Sequence, residues 1–66
     1  MEPELTKLTT LLEYTIGHNK EHAEELQDLA QKARKLGKAT AYDDILKGAE
    51  QMKQASETLA KALKGL

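Results

Sequence analysis

IGHNKEHAEEL, residues 16–26, interrupts a chain that otherwise reads as plain helix. It puts Gly17, His18, Asn19 and His22 where a helical core would be expected to hold Leu and Ala. Two readings compete. In one, Gly17 ends a helix and Asn19 caps the next, giving three helices. In the other, a single helix runs straight through. Phase decides between them. Leu12, Ile16, Asn19, Ala23 and Leu26 stay on one face at roughly 100° per residue, and a two-residue turn would normally break that phase. A glycine inside a helix costs about 1 kcal/mol relative to alanine, which a long packed helix can absorb. A continuous helix is therefore expected, with a monomeric three-helix bundle broken at Gly17 as the alternative.

Working outward, Pro3 suits the first turn of that helix, with Glu2 and Glu4 near its positive end. A heptad register then fits Leu5, Leu8, Leu12, Thr15, Asn19, His22, Leu26, Leu29, Ala33 and Leu36. Ile16, Ala23 and Ala30 widen the stripe on one side and Leu11 on the other. Lys32, Arg34 and Lys35 favour the negative helix end, and Gly37 makes a left-handed terminator. Thr40 followed by Asp43 resembles a capping box with a shorter acid. A second register runs through Tyr42, Ile45, Ala49, Met52, Ser56, Leu59, Leu63 and Leu66. The expected organisation is one domain, 1–66: a helix over about 3–36, a turn over about 37–40 and a helix over about 41–64. The first helix would be roughly 50 Å long.

Composition supports an all-α fold. Ala, Leu, Glu, Lys and Gln dominate, and all are strong helix formers. The only aromatic residues are Tyr14 and Tyr42. There is no cysteine, so neither a disulfide nor a thiolate metal site is available. The formal net charge of -1 is too balanced for a nucleic-acid surface. No apolar run is long enough to span a membrane and no secretory leader is evident, so a cytoplasmic location is expected. No nucleophile–base pair, phosphate loop or zinc-protease motif is present, so no enzyme is expected.

At 66 residues a core seldom stabilises itself without help, which in a chain without cysteine leaves self-association, a His/carboxylate metal site, or both. A short turn makes the two helices antiparallel neighbours. The first helix would then project past the end of the second while still carrying Leu5, Leu8 and Leu11. A second hairpin covers these residues if the two first helices run antiparallel about a two-fold axis near Lys20. The pairs Leu11/Leu29 and His18/His22 are both centred on that residue. The expected assembly is a homodimer forming a four-helix bundle.

His18 and His22, at i and i+4, can reach one metal ion. Glu21 and Glu25 could add oxygen ligands or orient the imidazoles. Two histidines do not close a tetrahedral zinc site, but the dimer would supply four. Zinc, nickel or cobalt would suit such a set, and spacing does not choose among them. The competing reading is structural. Asn19, His22 and Ser56 would form a buried polar layer that sets register, as a single core Asn does in coiled coils. Phosphotransfer is a third reading, from dimeric helical hairpins that carry one exposed histidine. Asn19, where those hairpins place an acid, argues against it.

HNKEHAEEL resembles a segment of small helical proteins and domains of unknown function, some found alongside bacterial and archaeal nickel or cobalt handling systems. His18, Asn19, His22, Ala23, Glu24, Glu25 and Gly37 carry the likeness, which covers residues 11–37. It implies metal handling with His18 and His22 as ligands. The tryptophan common in that segment is absent, and Tyr14 is the nearest aromatic.

Overall fold

In a computed structural model, which describes residues 2–66, the chain folds as a hairpin of two helices, α1 (Pro3–Lys35) and α2 (Ala39–Lys64). No strand occurs among the described residues. The hairpin is 54 Å along its long axis. α1 passes through Gly17 without a break, so the three-helix alternative is excluded. A Cβ built on Gly17 would meet nothing within 4 Å. No neighbour therefore requires a glycine at this exposed position.

α1 starts with Pro3 in its first turn, where a missing N–H costs no hydrogen bond. Its end is closed by backbone bonds. Gly37 takes φ +74°, its N–H donates to the Arg34 carbonyl at 3.0 Å, and the Lys38 N–H donates to the Ala33 carbonyl at 2.9 Å. These are the two bonds of a Schellman turn, which satisfies helix-end carbonyls that would otherwise lack partners. Lys32, Arg34 and Lys35 crowd the same end. Arg34 then lies over the Tyr42 ring, 5.6 Å from its centroid, and links the two helices across the turn.

The expected capping box at Thr40 and Asp43 does not form. Lys38 is the residue flanking α2, with its carbonyl accepting the Tyr42 N–H at 2.9 Å and no side-chain cap. The Schellman turn consumes only residues 36–38, so Thr40 is already inside the helix. A residue with helical backbone cannot fold its hydroxyl back onto the first free N–H groups.

The packed seam of α1 also differs from the expected register. Ile16, Ala23 and Ala30 are the buried residues, flanked by half-buried Leu5, Leu12, Asn19, Leu26 and Ala33. Leu8, Leu29 and Leu36, which the heptad register includes, are 51, 48 and 75% exposed; Leu8 and Leu29 are residues that a second hairpin was expected to cover. The reason is size. Ala23 and Ala30 face a second helix whose buried residues, Ala49 and Ser56, are equally small. Small side chains let two backbones approach closely, and that contact sets the rotation of α1. On α2 the expected stripe from Tyr42 to Leu63 is buried or half-buried, while Leu66 is exposed.

Candidate functional site

Regular helix from residue 14 to residue 25 places side chains four apart above one another. Tyr14, His18 and His22 use that spacing in full. The Tyr14 and His18 rings stack, with centroids 5.6 Å apart and planes 12° from parallel. His18 and His22 meet edge to face, centroids 4.3 Å apart. Their Nε2 atoms are 2.8 Å apart, within hydrogen-bond distance. On its far nitrogen, His22 Nδ1 lies 3.4 Å from Glu25 Oε2.

With both rings neutral, the contacts fit His22 protonated on Nδ1, facing the Glu25 carboxylate, and accepting at Nε2 from the Nε2–H of His18. A carboxylate on the outer nitrogen is the usual way to hold a ligating imidazole and raise its basicity. Two imidazole nitrogens sharing one tetrahedral ion, each about 2.05 Å from it, would stand roughly 3.3 Å apart. The present separation is about 0.5 Å shorter, so chelation would need the rings to part slightly and the His18 proton to pass from Nε2 to Nδ1.

Of the four residues picked from the sequence, the structure brings together His18, His22 and Glu25. Glu21 is exposed and makes no bond to either ring. Among the described residues no three His, Cys, Asp or Glu side chains are placed to hold one ion. The cause is geometric. All the nearby donors come from one helix face, and α2 turns its charges elsewhere. Lys53 and Glu57 line a groove with Lys20, Glu24 and Gln27, roughly 200° round α1 from His18, His22 and Glu25.

Of the expected polar layer, Asn19 and His22 are half-buried and Ser56 is buried, with no hydrogen bond joining Ser56 to either. The Ser56 hydroxyl donates to the Met52 carbonyl of its own helix at 3.1 Å. Tyr14 is 68% exposed, but its stacking on His18 makes it part of the cluster. The signal for that was the Tyr14–His18 spacing, the same four residues that pointed to the His18–His22 pair.

The model for the Domain of unknown function family DUF8180 matches residues 8–66. The chain belongs to this family. The DUF8180 match takes in α1 from Leu8 onward, the turn, α2 and the whole Tyr14–Glu25 ladder. Neither the curated proteins nor the solved structures contain a match to the chain.

Proposed function

We propose that this DUF8180 hairpin is a small homodimeric accessory protein that binds a divalent transition metal through His18 and His22. The observation that carries the reading is the convergence of two Nε2 atoms at 2.8 Å, with Glu25 behind the outer nitrogen of His22. The hairpin by itself offers two ligands. A two-fold axis near Lys20 would set His18 against His22 of a second copy, and the four imidazoles would complete a tetrahedral set. Nickel, zinc and cobalt all suit nitrogen ligands. The resemblance of HNKEHAEEL to segments found beside nickel and cobalt handling systems favours the same reading. On this reading the protein carries or buffers an ion in the cytoplasm and catalyses nothing.

The rival reading is a structural interaction module. It draws on the exposed leucines, which an assembly would cover whether or not a metal binds. Native mass spectrometry of protein incubated with zinc, nickel and cobalt, beside a His18→Ala/His22→Ala variant, decides between them. One ion per dimer, lost in the variant, is the expected result. A wild-type dimer that takes up no ion would leave the structural reading in possession.

A further inference from the structure

The polar groove tells the two flanks of the hairpin apart. Lys20, Glu24 and Gln27 of α1 share it with Lys53 and Glu57 of α2. Two residues back along α1, roughly 200° round it, come His18, His22 and Glu25. On α2, Ala55 lies roughly 160–200° from both Lys53 and Glu57. His18, His22 and Ala55 therefore emerge on the same flank, away from the groove. The exposed Leu8, Leu11 and Leu29 extend that flank along α1.

α2 carries its own unpartnered heptad there. Ala41, Gly48, Ala55 and Ala62 recur every seven residues. Three are exposed, Gly48 is half-buried, and a Cβ on Gly48 would meet nothing within 4 Å. Between them stand Ile45, Met52 and Leu59, with Leu66 at the end. Every position is apolar, so the stripe has no solvated side chain to account for it. The order of sizes is the informative part. Lay the stripe antiparallel on a copy of itself, centred between Lys53 and Gln54. Ala41 then meets Leu66, Ala62 meets Ile45, Gly48 meets Leu59 and Ala55 meets Met52. Every layer sets one small residue against one large one. This alternation lets facing side chains interdigitate and brings helices to the near end of the 8–10 Å packing range.

The level of that centre is a separate observation. The turn is symmetric about Gly37, and Leu66 lies beside Thr9 and Thr10 at the other end. By either measure Lys20 of α1 is level with about residue 54 or 55 of α2, since antiparallel helices rise equally per residue. The α1 pairs Leu11/Leu29 and His18/His22 are centred on Lys20. Two unrelated palindromes, one on each helix, thus lie at the same height to within about two residues, roughly 3 Å. One two-fold axis across the flank serves both.

We infer that the occupant of this flank is a second copy of the chain, and that it docks through α2 on α2 as well as α1 on α1. The proposal rests on the dimer proposed above, but not on any metal. It rejects the other dimer that the same flank permits, in which each α1 lies on the partner's α2.

Sedimentation equilibrium of the full chain, with Ala55→Glu and Gln54→Glu variants, tests the surface. Ala55 is exposed in the hairpin, so circular dichroism of Ala55→Glu should remain that of the wild type. Two carboxylates forced into a dry seam should weaken dimerisation roughly 100-fold or more, and Gln54→Glu should leave it unchanged. Oxidising a mixture of Met52→Cys and Ala55→Cys chains tests the pairing. A disulfide-linked dimer containing one chain of each kind is expected, with little in either variant alone. If wild type and Ala55→Glu dimerise equally, or Ala55→Glu dissociates but no mixed disulfide forms, α2 does not face α2 and the inference is overturned. The α1 dimer and its metal site would survive that result. A wild type that stays monomeric at all concentrations would overturn both dimer readings, while ion uptake by His18 and His22 would still be read separately.

Discussion

Gly17→Ala and Gly37→Ala are the same chemical change with opposite expected signs. At Gly37 the backbone has φ +74°, a region where an L side chain crowds its own carbonyl at a cost of about 1–2 kcal/mol. Nothing lies within 4 Å of the position a Cβ would take, so no packing gain or clash modifies that cost. Alanine also has fewer unfolded conformations to lose, which returns a few tenths of a kcal/mol or more. The net expectation is a loss of about 1 kcal/mol. At Gly17 the backbone is ordinary helix and the Cβ position is equally open. Alanine should gain about 1 kcal/mol there. For a domain of this size each kcal/mol moves Tm by roughly 4–8 °C. Thermal melts at 222 nm, run at one protein concentration because association would shift Tm, should put the two variants on either side of wild type. The double variant should fall close to wild type, since the sites share no partner. A Gly37→Ala melt equal to wild type would refute the Schellman turn. A destabilised Gly17→Ala would refute the continuous helix and restore a joint at Gly17.

Three further outcomes follow from the packing and the site. Ala30→Leu, at a position with no exposed surface between the helices, should cost about 1–3 kcal/mol in urea denaturation; an unchanged midpoint would mean that the seam has room. Ser56→Ala should stay within about 1 kcal/mol of wild type, because the hydroxyl bonds only its own helix and no buried polar atom loses its partner. A loss above about 2 kcal/mol would show that Ser56 bridges to α1. Ion uptake measured by isothermal titration calorimetry should fall off in mild acid, since a proton competes with the ion for an imidazole nitrogen. Uptake insensitive to pH there would point to carboxylates and away from His18 and His22.

The helices were legible because each level of the sequence agreed. Strong helix formers, Pro3 at the start, Gly37 at the stop and an unbroken phase across Gly17 all specify the same two segments. Two things were not legible. One was the start of α2, where a side-chain cap at Thr40 competed with a backbone solution three residues long, and the backbone bonds of Gly37 and Lys38 won. The other was which half of a broad apolar stripe packs inside. Leu8 and Leu29 carry more apolar area than Ala23 and Ala30, so area alone selects the wrong half. Close approach of the backbones favours the alanines, and that depends on what Ala49 and Ser56 offer from the other helix. At the site, the spacing of His18, His22 and Glu25 was enough to find the cluster. It did not separate Glu21 from Glu25, because both lie three residues from one of the two histidines. Only the rotation of the His22 ring selects Glu25.

Tyr14 has a use that its position alone confers. The chain has no tryptophan and no phenylalanine, so its near-ultraviolet signal comes from two rings. Tyr42 sits under Arg34 at the turn, remote from the histidines, whereas Tyr14 lies flat on His18. Any proton or ion arriving at His18 changes the electric field across one chromophore and leaves the other as an internal reference. Tyrosine emission of the unlabelled protein therefore reports on occupancy of the cluster directly, and a Tyr42→Leu variant would make that optical readout single-site.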